Sequence, residues 1–205
     1  MRQQSMSKEI IEKAIEFHGH SCPGIATGIR VAELALRELN PASDGDIVAV
    51  AETDMCPVDA IQYLTGCTFG KGNFIHLDYG KNAFNFYRRT DSKGLRIVTK
   101  PDAMGDPGGV FTTLRKKKME NSLTPEEQKQ FGEMQEARIK KIMEVDLEEL
   151  FDILPAREPI PPDVIRVMGS LTCGECGELT MKTRTRQSQG QTLCIPCFEA
   201  KGNRQ

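Results

Sequence analysis

Apolar residues recur at helical spacing through the first forty positions. Ile10, Ile11, Ala14, Ile15 and Phe17 share one face of a helix that Ser7 can cap. A second helix opens on Pro23 and runs to about Asn40 and Pro41. Its apolar positions include Ile25, Ile29, Val31, Ala32, Leu34 and Leu39, a stripe wide enough to predict a central, well-buried helix. The turn Ser43-Asp44-Gly45-Asp46 leads into Ile47–Ala51, a continuous apolar run that reads as a buried strand. The Cys-Pro start then repeats: Cys56 is placed to cap a helix, Pro57 opens it and Gly66 stops it. Phe74–Tyr79, Ala83–Arg89 and Leu95–Thr99 read as three strands of a meander, with turns at Gly80-Lys81-Asn82 and Asp91–Gly94. A meander with helices packed on it predicts the α+β class.

Beyond the Gly- and Pro-rich stretch 101–109 the composition shifts. Arg115-Lys116-Lys117-Lys118 starts a long charged helical region. Thr124-Pro125-Glu126-Glu127 is a capping box that places a helix N-terminus, and the pattern carries that helix to Glu144. Leu147–Leu154 reads as a shorter helical piece. Pro155, Pro159, Pro161 and Pro162 read as a stiff linker, and Val164–Met168 as one more strand. The chain thus divides into an α+β core (1–110), a helical extension with a Pro-rich linker (111–162) and a small C-terminal module (163–205).

Composition narrows the function classes. The 205 residues carry a formal net charge of -2, so no global basic field draws the chain to nucleic acid or an anionic membrane. No apolar run approaches a membrane span, and Met1–Ser5 lead into no signal-type segment, which predicts a cytoplasmic protein. In that compartment seven cysteines point to metal binding or thiol chemistry rather than to disulfides.

Four of them form two pairs, Cys173-Gly174-Glu175-Cys176 and Cys194-Ile195-Pro196-Cys197, in a C-x2-C-x17-C-x2-C pattern. That spacing predicts a closed, structural four-thiolate zinc site, with a hairpin around Gly190 between the pairs and a knuckle running into a short helix over Cys194–Lys201. Lys182, Arg184 and Arg186 read first as a solvated face, and nucleic-acid contact ranks below protein docking.

The other chemistry-bearing run is Phe17-His18-Gly19-His20-Ser21-Cys22-Pro23-Gly24. A cysteine at a helix N-terminus tends toward the thiolate, which binds metals or reacts. Cys22 and Cys56 both precede proline at an expected helix start. With His18, His20 and Cys67 they offer a mixed donor set that suits zinc, nickel, iron or copper. Fewer than four protein donors would leave a coordination position open. Cys67 reads equally as a small core residue, and His76 as a strand histidine rather than a ligand. Asp59 favours its helix dipole or orients a ligand. Lys71, in the Gly-flanked loop Gly70-Lys71-Gly72-Asn73, reads as a turn residue or as a cation for an anionic substrate group.

These motifs, with Glu52-Thr53-Asp54-Met55-Cys56, Asp59-Ala60-Ile61-Gln62, Thr65–Asn73 and Asp78-Tyr79-Gly80-Lys81, resemble the E-subunit family of formylmethanofuran dehydrogenase over about the first hundred residues. The C-terminal ribbon is similar to that of longer members. The resemblance implies a mixed or antiparallel sheet in the α+β core, a C-terminal zinc ribbon or treble-clef-like module, and a homodimer. It implies a metal cleft built from His18, His20, Cys22 and Cys56, with Cys67 nearby, holding a transition metal (Zn, Ni or Fe) besides the structural zinc. It does not imply the formyl-transfer chemistry, which belongs to other subunits. The expectation is an accessory or catalytic component of C1 redox metabolism, with an oxidoreductase complex as partner, in which Cys22, Cys56 and His20 do the chemistry and Lys71 contacts substrate. The alternative is a non-enzymatic metal or cofactor carrier, or a regulator that docks through its zinc ribbon.

Overall fold

The computed structural model describes residues 6–101, 103, 109–156 and 169–202. Contacts divide the chain into two compact units, Met1–Pro162 and Asp163–Gln205.

The first unit opens with α1 (Lys8–His18), capped by the Ser7 hydroxyl, which accepts from Ile10 N–H. Next comes α2 (Pro23–Leu39), buried along ten of its positions as its wide stripe requires. Strand β1 (Ile47–Ala51) is buried at every residue. Helix α3 (Pro57–Thr65) ends at Gly66, whose left-handed φ of 68° a side chain would strain. Strands β2 (Phe74–His76), β3 (Ala83–Arg88) and β4 (Gly94–Thr99) follow. Then come α4 (Val110–Met119), α5 (Pro125–Glu144), the single turn α6 (Leu147–Leu150) and β5 (Phe151–Pro155). The capping box forms as read: Thr124 accepts from Glu127 N–H, and Glu127 accepts from Thr124 N–H.

The five strands form one mixed sheet in the order β2-β1-β3-β4-β5. Here the expected meander is corrected. β2 stops at His76 and pairs parallel to β1, while β3 takes the other, antiparallel edge of β1. A strand apolar at every position belongs in the interior of a sheet, and β1 is paired on both edges, by β2 and β3. The segment 77–82 crosses the end of β1, donating from Leu77 N–H to Ala51 O and from Lys81 N–H to Glu52 O.

The second correction concerns Leu147–Leu154, read as helical. The chain leaves the helix after one turn, and Phe151–Pro155 pairs antiparallel with β4. A short apolar run is ambiguous by periodicity, and the open edge of β4 decides it. Ile142, Leu147, Leu150 and Phe151 therefore join α2, β1 and β3 in the main core. The expected strand Val164–Met168 and prolines 159, 161 and 162 lie outside the described residues.

Helices α2 and α3 pack on one face of the sheet, and α5 packs against α2. On the other face Glu52, Asn85 and Arg96 form a buried polar network in which Arg96 pairs with Glu52 and donates to Asn85 Oδ1 at 3.3 Å. No helix among the described residues is long and apolar enough to cross a membrane.

The second unit comprises β6 (Ser170–Thr172), β7 (Leu179–Met181), the 3-10 turn Lys182–Arg184, β8 (Thr185–Ser188), β9 (Gln191–Cys194) and α7 (Ile195–Ala200). The β8–β9 hairpin turns at Gln189 and Gly190, with φ of 48° and 78°.

Candidate functional site

The chemistry-bearing residues of the first unit gather where α1 ends and α2 begins. Gly19 closes α1 in the left-handed region at φ 89°, its N–H bonded to the Ile15 and Glu16 carbonyls. That reversal folds His20 back until its ring centroid lies 4.5 Å from that of His18. The chain then extends through Cys22, the N-cap of α2, whose Sγ accepts from Ile25 N–H at 3.3 Å. The sulfur thus meets the positive end of a 17-residue helix.

His18 Nδ1 donates to Asp59 Oδ2 at 2.7 Å, which leaves Nε2 facing Cys22 Sγ at 3.7 Å. Donor atoms of His18, His20 and Cys22 all lie within 4.8 Å of one another. Two imidazoles and a thiol, one imidazole held in its tautomer by a carboxylate from α3, form a group that could hold a metal ion. Asp59, expected either to serve its helix dipole or to orient a ligand, lies in the first turn of α3 and holds the His18 ring.

Cys56 approaches from α3 but does not cap it. Its backbone is helical at φ -43° and ψ -35°, and its side chain makes no cap bond. Burial raises its thiol pKa, and the adjacent Cys22 sulfur adds to the effect. The approach depends on two glycines of α2. A Cβ on Gly24 would lie 2.8 Å from Cys56 Cβ, and one on Gly28 would lie 2.6 Å from Pro57 Cα. The Gly24-x3-Gly28 spacing, not read from the sequence as a site feature, lets the start of α3 press against α2.

Two expected site residues lie elsewhere. Cys67 is fully buried in the main core and donates to Ile47 O at 3.3 Å; burial raises its thiol pKa. It is a packed core thiol outside the three-donor cluster. Lys71 is bound to both carboxylate oxygens of Asp44, at 2.8 and 2.9 Å, and lines no part of the cleft described next. His76 lies on edge strand β2, opposite Ala51, with Nε2 buried and without a hydrogen bond among the described residues.

His20, Cys22 and Cys56 line the floor of a cleft of about 730 Å3. Its far wall comes from α4 and α5. Phe111 and Phe131 stack there with centroids 5.0 Å apart, and Arg115, Lys118 and Arg138 line the same wall. A cavity of this size, partly apolar, is large enough for a small organic molecule.

The second unit brings Cys173, Cys176, Cys194 and Cys197 together, their sulfurs within 4.8 Å of one another. Cys173 Sγ accepts from Cys194 N–H at 3.3 Å, and Gly177, at φ 75°, returns its N–H to Cys173 O to close the knuckle. Backbone N–H groups of Cys176, Cys194 and Glu175 bring the Cys173 pKa down to about 6. The neighbouring sulfurs push Cys197 up to about 12. Four thiols packed this closely cannot all ionise without a cation among them, and zinc supplies that charge. The hairpin and α7 frame the site as its sequence predicts.

Comparison with known proteins agrees with both halves. The family model FmdE, molybdenum formylmethanofuran dehydrogenase operon, matches residues 17–152. The prokaryotic dksA/traR C4-type zinc finger matches residues 168–201. A tungsten formylmethanofuran dehydrogenase FmdE-like protein from Syntrophus aciditrophicus is similar in structure, with a TM-score of 0.60, 25% identity, and coverage of 97% of this chain and 96% of that one. A curated protein from Archaeoglobus fulgidus, named "Probable S-adenosyl-L-methionine-binding protein", is 31% identical over 202 residues, 95% of this chain. The chain spans 54% of that relative's length. With its core matched over more than half its length and its thiolate module matched beyond that, this metal-binding chain belongs to the FmdE family.

Proposed function

We propose that the first unit holds a transition metal through His18, His20 and Cys22, and that this centre acts in C1 redox metabolism as an accessory or catalytic component. The zinc of the second unit is structural. The observation that carries the reading is the His18 ring: fixed by Asp59 on one nitrogen, it turns the other toward Cys22 at the floor of an open cleft. Three donors from one protein chain leave a coordination position for substrate. A zinc, nickel or iron ion held there supplies an electrophilic or redox-active centre. Cys56, also on the cleft floor, is the protein group placed to exchange a proton with whatever binds. Support for the C1 setting comes from the family and from the Syntrophus relative.

The Archaeoglobus relative's name raises S-adenosyl-L-methionine as a second ligand. Its sulfonium and ammonium would meet no carboxylate among the described residues lining the cleft, so this reading ranks second.

Metal analysis of the intact protein against Cys22→Ala and Cys173→Ala tests the proposal. The expected outcome is two metals per chain, one lost in each variant. A Cys22→Ala protein that retains both refutes the core site, and a Cys173→Ala protein with its full zinc content refutes the ribbon assignment.

A further inference from the structure

The wall formed by α4 and α5 carries an unusual charge arrangement. Arg115, Lys118 and Arg138 line the cleft, and no Asp or Glu among the described residues lines it with them. The whole chain has 29 acidic residues, more than its 27 Lys and Arg, so this local excess of positive charge runs against the composition. Nearby lysines behave differently: Lys117, one position from Lys118, is paired with Glu127.

The cations are seated on rings. Lys118 Nζ lies 4.9 Å from the Phe131 centroid, and the Arg138 guanidinium carbon lies 3.9 Å from that of Phe111. The two rings that carry these cations are themselves stacked, with centroids 5.0 Å apart. An aromatic face attracts a cation without neutralising it, so the ring positions Lys118 while leaving its full charge for another partner. Arg115, on the same helix as Lys118, makes no ion pair among the described residues. Arginine's planar fork matches a carboxylate or a phosphate, and lysine adds a point charge.

We infer that the cleft takes a small organic anion, its carboxylate or phosphate held by Arg115 and Lys118 and its remainder directed toward Cys22 and His20. A volume of about 730 Å3 is far more than a bare inorganic ion fills, and Met55, Met119 and Phe111 give an apolar surface for the organic part. The inference deepens the metal-centre reading and relies on it only for which end of the ligand reacts. The α4–α5 hairpin becomes the specificity wall.

The test is calorimetric titration of the full chain with phenyl phosphate, phenylacetate and uncharged phenylacetamide, with metal content measured on the same samples. At least one anion binds and the amide does not. Raising the salt concentration weakens that binding, as an exposed charge contact requires. Arg115→Gln and Lys118→Met each weaken it about tenfold. Lys116→Gln, on the same helix but outside the cleft, leaves it unchanged. Parent protein stripped of its core metal by a chelator too weak to take the four-cysteine zinc retains it within about twofold. The inference is overturned if neither anion binds, if the amide binds as well, or if the Arg115 and Lys118 variants bind like the parent. It is also overturned if chelation of the core metal abolishes binding while the Arg115 and Lys118 variants keep it, since the metal alone would then hold the anion. A chain that keeps its core metal but binds no anion spares the earlier proposal and sinks this one. Anion binding without core metal does the reverse.

Discussion

Gly28→Ala gives the sharpest check on how the site is assembled, when measured beside Gly132→Ala. Both glycines lie inside helices, α2 and α5, and both helices belong to the first unit. In an unobstructed helix the change stabilises by about 1 kcal/mol, because alanine loses less backbone freedom on folding. A Cβ on Gly132 meets nothing within 4 Å, so Gly132→Ala shows that gain. A Cβ on Gly28 lies 2.6 Å from Pro57 Cα and 2.9 Å from Ala60 Cβ. Carbon atoms pack at about 3.5–4.0 Å, so α2 and α3 must part by about 1 Å. Overpacking of this kind costs about 1–3 kcal/mol. The difference between the two variants isolates that steric cost, since the propensity gain is common to both. Urea unfolding followed by circular dichroism on zinc-saturated protein measures it. Gly28→Ala should fall about 1–3 kcal/mol below Gly132→Ala, a separation of several degrees in Tm. Equal stabilisation by both would refute the close helix approach that brings Cys56 to Cys22.

Arg96→Met leaves the buried Glu52 carboxylate without its partner and should cost about 3–5 kcal/mol in thermal or chemical unfolding. Arg96 holds the Glu52 pKa below its ordinary 4.5, so this contribution is complete above that value and fades as pH falls through the lowered one. Acid titration of stability should therefore show a loss below about pH 4.3 that Glu52→Gln lacks, that being the unfolded carboxyl's range. Asp59→Asn removes the carboxylate that orients His18 and should weaken core metal affinity about 10–100-fold in chelator competition, with the four-cysteine zinc unaffected. Thr124→Ala breaks the capping box of α5 and should cost about 1 kcal/mol.

Local signals in the chain were strong wherever a single residue type has a single physical use. Ser7, Pro23, Gly66 and the Thr124 capping box placed helix ends, because the first and last turns of a helix leave backbone groups that only certain neighbours satisfy. The two C-x2-C pairs were legible for a similar reason: a knuckle brings two sulfurs to one ion within four residues. The run from His18 to Cys22 was legible too, its three donors being local to one helix–helix turn.

What lay beyond local reading depended on partners distant in sequence. Nothing near Phe151 shows that the edge of β4 is open to it, so β5 reads as helix until the sheet exists. Nothing near Phe74 shows that β2 will run parallel to β1 rather than return along β3. Cys67 and Cys56 look alike as cysteines near helix ends, yet one is packed in the core and the other presses on Cys22. Lys71 finds Asp44, 27 positions away. The cationic wall of the cleft needs α4 and α5 to fold as a hairpin and face the N-terminal thiols. Donor identities, helix ends and the zinc motif are properties of neighbouring residues and survive in any context. Strand order, the burial of one thiol and the exposure of another, and the pairing of a lysine arise from long-range packing, where hydrophobic burial and charge compensation are settled by the whole chain at once.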